Sequence, residues 1–502
     1  MIEKTESRHV YDIEKIFEVV LAFNSVTDLT VLLDIILTKM MEITYSDAGT
    51  LYTVDDGKLH FRIIRNETLG IFQSSEKDEI SLPPIVLDKY NIQNVSAYSA
   101  IKNEIVLVDD VYGKNERFNL SGPKNYDKIT GYRTRAMLVL PICTQRGTDD
   151  EVLGVIQLMN PIDPVTGGPG VYGNIYNPPI VPALAKVAAN TLSNLTYVKE
   201  LQLILRSFAG VMTQAVDERS PYNNNHTQNV AMYCERFAIY LGNTFPREHE
   251  FHFDKLHTES LTLAALLHDI GKIITPLSIM DKPSRLGERL DDIKYRFELK
   301  KCQAEIDWLH KRITEEQYAD EIHTVSEAQD FITQINTTGF LNDEQLEKVL
   351  QLRDMMYKNA EGDVVPLFDD SDIETLSIRK GTLTDAERKI MQQHVSITSR
   401  LLDKIPFWKY YGNIPHWAGS HHEFLDGTGY PQGLFGEEVP MEACIITIMD
   451  IFDALSAADR PYKKGMPIDK ALDILTKMAD EGKLHKELVQ LFIESKIWAA
   501  AV

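Results

Sequence analysis

The stretch that decides the fold of the C-terminal half is Leu261-Thr262-Leu263-Ala264-Ala265-Leu266-Leu267-His268-Asp269-Ile270-Gly271-Lys272. Its first seven residues are apolar apart from Thr262, which predicts a buried helix. His268 and Asp269 would then place a carboxylate at the buried end of that helix, and a buried charge requires a partner. A glycine cap would explain Gly271 but not the His-Asp pair and Lys272 together. The stretch therefore favours a metal ion bound by His268 and Asp269.

Two further histidines are predicted to face the same interior. His226 shares a helix face with Val230 and Phe237, which turns its imidazole inward, although alone it is better explained as a packed core histidine. A capping box, Thr384-Asp385-Ala386-Glu387, begins a helix that also turns His394 inward. His226 and His394 are therefore candidate ligands.

The remaining candidates lie near the C-terminus. Two adjacent histidines open the segment His421-His422-Glu423-Phe424-Leu425-Asp426-Gly427-Thr428-Gly429-Tyr430-Pro431. Buried neighbouring imidazoles repel each other when protonated, whereas neutral imidazoles can bind metal. The apolar run from Cys444 to Met449 ends on Asp450, a second carboxylate that needs a cation. Five histidines and two aspartates suffice for two divalent metals bridged by one aspartate, and such sites carry out hydrolysis.

Composition limits the partners of the 502-residue chain. Lys and Arg number 52 against 74 Asp and Glu, and the net charge of −22 opposes non-specific binding to nucleic acid polymers and anionic membranes. A polyanionic ligand must be held by metals or by placed cations such as Arg460 and Lys463, whose segment is otherwise typical of a surface turn. No apolar run approaches the ~20 residues of a membrane span. The four cysteines lack metal-ligand spacing, so a cytoplasmic protein of two to four domains is expected.

The N-terminal half is predicted to be α+β, with flanking helices and an antiparallel sheet. Its segments Ala48–Tyr52, Asp109–Tyr112, Gly131–Leu138 and Leu153–Asn160 resemble a GAF domain over about residues 12–195. The resemblance implies a small-molecule sensor or a dimerisation module. A GAF fold without a ligand is equally compatible with these residues, and no ligand-binding residue is assigned.

A single long helix is predicted to join the two halves. Between Val181 and Met212 apolar residues recur at spacings of four and three, and the heptad-like seam comprises Leu184, Ala188, Thr191, Leu195, Val198, Gln202, Leu205, Ala209 and Met212. A parallel homodimer is favoured, and packing of the helix against its own domains is the alternative. The expected domains are a GAF domain over 1–182, a linker helix over 183–209 and an all-α domain over 210–502 with a helical insertion at about 286–379.

The motifs of the second half resemble an HD-GYP domain, a branch of the HD metal-dependent phosphohydrolases that cleaves cyclic di-GMP. The resemblance implies a first metal held by His226, His268, Asp269 and Asp450, and a second held by Asp269, His394, His421 and His422. It implies catalytic roles for Asp269 and Lys272. Substrate binding is assigned to the Gly-Tyr-Pro loop and to the two cations downstream, namely Gly429, Tyr430, Pro431, Arg460 and Lys463.

Two metal ions are expected rather than three, and iron or manganese suits a His-rich site with carboxylates. Members with a third metal carry a Glu one turn before the first His, and Tyr222 stands there in this chain. We expect hydrolysis of cyclic di-GMP to pGpG, and in some members of the family to GMP, under control of the GAF domain. Two alternatives stay open: a hydrolase of another cyclic dinucleotide such as cyclic GMP-AMP, and a non-catalytic receptor for cyclic di-GMP.

Overall fold

The computed structural model describes residues 17–23, 25–26, 28–75, 80, 82–146, 149–175, 180–219, 225–407, 411–457 and 465–499. The chain divides into two compact units, residues 1–204 and 205–502. Within the described residues, no helix has both the length and the apolar character needed to cross a membrane.

The N-terminal unit is built on one antiparallel sheet in the order β3-β2-β1-β7-β6-β5, with β4 also paired to β2. Its strands are β1 (Ser46–Asp55), β2 (Lys58–Asn66), β3 (Ile71–Ser74), β4 (Ile85–Val86), β5 (Val106–Val108), β6 (Met137–Arg146) and β7 (Asp149–Pro161). Its helices before the long helix are α1 (residues 17–23), α2 (Leu29–Thr44), α3 (Val95–Lys102), α4 (Ser121–Thr130) and α5 (Tyr172–Ile175). The α+β expectation is confirmed.

Alternation along the strands separates two cores in this unit. Leu51 and Leu138 belong to the core that includes α2 and the beginning of the long helix, whereas their neighbours Tyr52 and Val139 belong to the core on the opposite face. Burial on both faces explains why the first seven residues of β6 are continuously apolar in sequence.

The long helix, α6 (Ile180–Asp217), has 38 residues and begins before and ends after the predicted bounds of 183–209. The dimer seam predicted on α6 has the wrong residues, because several of them are buried in the cores of the chain's own two units. Leu184 and Ala188 lie in the core of the N-terminal unit, and Ala209 lies in that of the C-terminal unit. Periodicity alone cannot distinguish a seam that faces a partner from one that faces the chain's own core.

The C-terminal unit is largely helical. Its main helices are α7 (His226–Thr244), α8 (Lys255–Leu267), α9 (Leu277–Met280), α14 (Asp385–Leu402), α15 (Ile414–Ala418), α16 (Met441–Ser456), α17 (Ile468–Asp480) and α18 (Lys486–Ser495), with 3₁₀ helices at Ile270–Ile274, Leu352–Asp354, Gly436–Glu438 and Ile497–Ala499. Helices α7, α8 and α16 share one apolar core. The capping box predicted at Thr384 is present and begins α14.

The segment predicted as an insertion folds around a core of its own. It contains α10 (Arg289–Leu309), α11 (Glu315–Thr337), α12 (Asp343–Gln351) and α13 (Asp370–Leu376), and the two short strands β8 (Met356–Lys358) and β9 (Val364–Pro366), which the all-helical expectation missed. Arg285 lies fully buried at its base, where its guanidinium donates to the carbonyl oxygens of Ile335, Thr338 and Ile378. One side chain thus ties both ends of the insertion together.

Candidate metal centre

The helix α8 delivers His268 and Asp269 to the interior, as its apolar sequence predicts. The 3₁₀ helix Ile270–Ile274 follows at once and packs tightly on α14. A Cβ added at Gly271 would lie 2.0 Å from the carbonyl oxygen of His394, so only glycine fits. Thr398 Oγ1 accepts from Gly271 N at 3.0 Å and donates to the His268 carbonyl oxygen at 2.9 Å. This contact brings His394 to the end of α8.

Asp269 lies at the centre of the histidines, and its two carboxylate oxygens face different ones. Oδ2 lies 3.3 Å from His268 Nε2 and 3.9 Å from His226 Nε2. Oδ1 lies 3.3 Å from His394 Nε2 and 4.0 Å from His421 Nε2. A carboxylate placed in this way can bridge two cations.

The two remaining candidates, Asp450 and His422, complete the two groups of possible ligands. Asp450 Oδ1 lies 3.0 Å from His226 Nε2, and Asp450 Oδ2 lies 3.9 Å from His422 Nδ1. Three sets of possible ligand atoms lie within 4.8 Å of one another, and they are His226 with His268 and Asp450, His268 with Asp269 and His421, and His394 with His421 and His422. The structure thus brings together all seven residues that the sequence nominated as metal ligands.

Backbone carbonyls fix the orientation of three of these rings. The Nδ1 atoms of His268, His394 and His421 lie 2.6, 2.7 and 2.6 Å from the carbonyl oxygens of the residues three positions earlier, respectively. A carbonyl can only accept, so each Nδ1 carries a hydrogen, and in the neutral ring Nε2 then carries the lone pair. A neutral imidazole held in this tautomer is ready to bind a metal through Nε2.

These lone pairs test whether the site fits a metal. Among the candidate ligands, four buried atoms have no hydrogen-bond partner: the Nε2 atoms of His268, His394 and His421, and Asp269 Oδ1. Buried polar atoms without partners are costly, and here three imidazole nitrogens and one carboxylate oxygen converge on the same space. Nitrogen and carboxylate donors suit first-row divalent metals, so the residues present fit the expected ions.

Burial and neighbouring charges shift the pKa values of the site's residues, and the histidines do not all shift in the same direction. Burial alone would raise the pKa of Asp269, but Lys272 and the surrounding imidazoles outweigh it and hold that pKa well below its usual value. Burial and the neighbouring histidines hold the pKa of His421 well below its usual value, and burial lowers the pKa of His422 to about 4. For His226, bonds to Asp450 and Asp453 outweigh burial and raise the pKa to about 10. Metal binding at His226 therefore has to displace a proton.

Asp453 is a functional candidate to which the sequence assigned no role. Its Oδ2 lies 2.7 Å from His226 Nδ1, and its Oδ1 accepts from Asn229 Nδ2 at 3.0 Å. A carboxylate on the outer nitrogen of a ligating histidine orients the ring and increases its basicity. The signal in the sequence was the position of Asp453, one helical turn after Asp450 on the same face of α16.

The Gly-Tyr-Pro loop lies against the histidines. The ring centroid of Tyr430 lies 4.9 Å from that of His422, and a Cβ at Gly429 would lie 2.4 Å from Phe424 N, so the loop could not approach with a larger residue. The buried Glu423 carboxylate accepts from the backbone nitrogens of Gln432 at 2.7 Å and Leu434 at 3.0 Å. In this loop Tyr430 is partly exposed, and Pro431, which follows it, is exposed.

Of the three cations predicted to act on the substrate, the structure describes only Lys272. Lys272 Nζ lies 2.6 Å from Asp269 Oδ2. The predicted cations Arg460 and Lys463 lie outside the described residues, as does Tyr222.

The N-terminal unit contains a separate cavity of about 470 Å³ between its sheet and the beginnings of α3 and α4. Gln157 lies in its wall, where Oε1 accepts from Ser96 Oγ at 2.9 Å and from Tyr52 Oη at 3.3 Å. Its Nε2 donates to two thioether sulfurs, those of Met137 at 3.9 Å and Met159 at 3.7 Å, which are weak acceptors. A cavity of this size can hold a small molecule.

Comparison with known proteins agrees with these two halves. Residues 28–167 match the model of a GAF domain, and residues 224–333 and 371–488 match models of an HD domain. The expected order of a GAF domain followed by an HD domain is confirmed.

Curated relatives match parts of this chain. A 3'3'-cGAMP-specific phosphodiesterase 1 of Vibrio cholerae is 33% identical over 291 residues, which cover 58% of this chain and 42% of the relative. The 3'3'-cGAMP-specific phosphodiesterase 3 of the same organism is 48% identical over 97 residues, 19% of this chain and 20% of the relative. A cyclic di-GMP phosphodiesterase of Thermotoga maritima is 35% identical over 124 residues, 24% and 32% respectively. The chain spans less than half the length of each of these relatives.

Proposed function

We propose that this chain, in which a GAF domain precedes an HD domain of the HD-GYP type, is a metal-dependent phosphodiesterase that hydrolyses cyclic di-GMP. The observation that carries the proposal is Asp269, whose two oxygens face two separate sets of imidazole nitrogens. The proposed product is pGpG, with further cleavage to GMP as a second step. The similarity to cGAMP-specific phosphodiesterases favours 3'3'-cGAMP as the second candidate substrate.

The proposed metal ligands fall into two sets that share one residue. The first set is His226, His268, Asp269 and Asp450, and the second is Asp269, His394, His421 and His422. Bound metal ions, with iron or manganese proposed from the donor types, would supply a water of lowered pKa and a Lewis acid for the developing phosphoryl charge.

The chain's own residues bind and orient the substrate. Asp269 holds the two sets of ligands in one arrangement, which is its proposed catalytic role. Lys272 brings a positive charge within 2.6 Å of Asp269, at the place where negative charge on a phosphate would need stabilisation. The aromatic ring of Tyr430, with Gly429 and Pro431 shaping the loop around it, offers a surface on which a guanine base can stack.

Arg460 and Lys463 are proposed to bind the substrate's phosphates or a guanine. Arg460→Gln and Lys463→Gln should each weaken substrate binding by roughly 1.5–3 kcal/mol, the value of a charge-assisted hydrogen bond, with metal content unchanged. Turnover of cyclic di-GMP and 3'3'-cGAMP by anaerobically purified protein, with metal content measured on the same sample, tests the function. Binding of either dinucleotide without turnover by the metal-loaded protein would favour the non-catalytic receptor. Turnover of 3'3'-cGAMP without turnover of cyclic di-GMP would make 3'3'-cGAMP, rather than cyclic di-GMP, the substrate.

The GAF domain is proposed to regulate the enzyme by binding a small molecule in its cavity. Arg65 is the one charged residue among the described residues that line the cavity, and its guanidinium is already paired with Asp34 at 2.9 and 3.0 Å. This lining supports an uncharged planar ligand. The amide of Gln157 would gain a better acceptor than the two sulfurs from a ring nitrogen or carbonyl of the ligand. A heterocycle of the nucleobase type has these properties.

Gln157→Leu should therefore weaken the binding of such a heterocycle by about tenfold, the value of one hydrogen bond. Calorimetric titration with adenine, hypoxanthine and uracil measures this. Gln73→Leu removes an amide from an exposed position of β3 in the same sheet and is the matched control. Failure of all three bases to bind wild-type protein, or equal binding to both variants, would contradict the proposed ligand class.

A homodimer through α6 is proposed with a seam different from the one expected. Leu201, Ile204, Phe208 and Val211 follow one another at spacings of three and four residues, and each is more than half exposed. A row of apolar side chains with this spacing is self-complementary in a parallel two-stranded coiled coil. Light scattering that gives the mass of a single chain at micromolar concentration would contradict the dimer.

A further inference from the structure

Arg219 joins the end of α6 to the segment that follows the metal-binding His-Asp pair. Its guanidinium donates to the carbonyl oxygens of Lys272 at 3.0 Å and Thr275 at 3.3 Å, and also to that of Ile273. These carbonyls lie at and just after the C-terminal end of the 3₁₀ helix Ile270–Ile274, where the Lys272 carbonyl oxygen also accepts from Thr275 N at 3.0 Å. One side chain therefore adds donors to a helix end that carries Lys272.

The opposite end of the same 3₁₀ helix is held from another direction. Thr398 of α14 accepts from Gly271 N and donates to the carbonyl oxygen of His268. Lys272 lies between these two anchors, and its ammonium reaches Asp269 at 2.6 Å. The position of Lys272 relative to the proposed bridging carboxylate thus depends on Thr398 at one end and on Arg219 at the other.

The last turn of α6 also contacts the helix that carries the first ligand. The carboxylate of Asp217 is buried and accepts from Thr227 Oγ1 at 3.1 Å, and Thr227 is the neighbour of His226 at the beginning of α7. Asp217, the last residue of α6, therefore contacts the Thr227 side chain next to His226, and Arg219, two residues later, contacts the backbone around Lys272. Displacement of this helix end would disturb both segments.

We propose that Arg219 is a positioning residue of the phosphodiesterase site, which holds Lys272 in place and makes its position depend on the end of α6. The kinetic part rests on the proposed function. The competing interpretation is that Arg219 only caps a helix end and contributes to stability. The two interpretations differ in whether loss of Arg219 changes turnover in protein that is still folded and loaded with metal.

The matched control is Arg206, within α6 and upstream of Arg219. Its guanidinium binds Glu235 of α7 at 2.7 and 3.0 Å and makes none of the contacts described for Arg219. Arg206→Gln thus removes an equally well-bonded guanidinium from α6 without touching the 3₁₀ helix. Arg219→Lys tests rescue, because an ammonium can reach one carbonyl but cannot span the three.

In full-length, metal-loaded protein, Arg219→Gln should lower kcat by about 10- to 100-fold, with KM and metal content within about twofold of wild type. Arg219→Lys should recover part of kcat, and Arg206→Gln should keep wild-type values. Unchanged kcat in Arg219→Gln, loss of metal in proportion to activity, or the same loss in Arg206→Gln would overturn the proposal.

Hydrogen exchange on the same samples separates this proposal from the proposed function. Amides of residues 272–275 should exchange faster in Arg219→Gln than in wild type or Arg206→Gln, whereas those of α7 after its first turn should not. If wild-type protein hydrolyses neither dinucleotide, the proposed function fails, and exchange still decides whether Arg219 holds this segment. Unchanged exchange at 272–275 would overturn the positioning role whatever the activity.

Discussion

Asp269→Asn is expected to remove both metals and to abolish hydrolysis. The amide has nearly the same size as the carboxylate, so the fold around it is preserved, but it lacks the charge and one of the two oxygens that face opposite sets of histidines. Because both sets share Asp269, neither keeps its full complement of ligands. We expect turnover to fall by more than about 10³-fold, as is typical when a central catalytic group is lost. Elemental analysis and turnover on the same preparation measure both effects.

His394→Ala is the control for this prediction. His394 Nε2 lies 3.3 Å from Asp269 Oδ1, and the His394 ligand atom groups with those of His421 and His422 rather than with those of His226 and His268. The variant should therefore lose the second metal and keep the first. Two metals retained per chain in Asp269→Asn, or equal loss of both metals in His394→Ala, would contradict the assignment of ligands.

Gly271→Ala is expected to damage the site through packing alone. The added Cβ would lie 2.0 Å from the His394 carbonyl oxygen and 2.8 Å from Thr398 N, so the 3₁₀ helix and α14 would have to separate. Overpacking of this kind typically costs about 1–3 kcal/mol, and backbone contacts leave little room for relief. The free energy of unfolding should fall by at least this amount, and metal at the second set of ligands should be lost with it. Chemical denaturation and elemental analysis measure the two effects.

Gly210→Ala is the matched control. Gly210 lies within α6, and a Cβ built there has no heavy atom within 4 Å apart from its own helix and neighbours. Alanine in a helix interior is more stable than glycine by about 0.5–1 kcal/mol, so this variant should be slightly more stable than wild type. A Gly271→Ala protein as stable and as metal-rich as Gly210→Ala would show that the contact with α14 can relax.

The candidate ligands could be nominated from the sequence because each one interrupts an apolar helical pattern with a group that cannot be buried alone. Asp450 at the end of an apolar run is such a case, and Asp269 at the end of α8 is another. The fold class was predictable for a similar reason, since alternating strands and helical stripes record which face is buried. These inferences need only the local pattern of residues.

Contacts between distant parts of the chain were not predictable in this way. The pairing of His226 with Asp453 joins residues 227 positions apart, and a local pattern does not specify which carboxylate meets which ring. The role of Arg219 was missed because its partners are backbone carbonyls, which every residue possesses. The seam on α6 was misplaced because two apolar stripes lie on one helix and only tertiary packing decides which is covered.

The spread of the proposed metal ligands along the chain has a consequence for biosynthesis. The first proposed ligand is His226 and the last is Asp450, and the insertion with its own core is translated between Asp269 and His394. A nascent chain that contains only the first three of them has an incomplete set of donors. The insertion can bury its core at that stage, because its apolar residues all precede α14. The proposed centre would be complete only after α16 has been translated, so binding of both metals would follow the synthesis of Asp450.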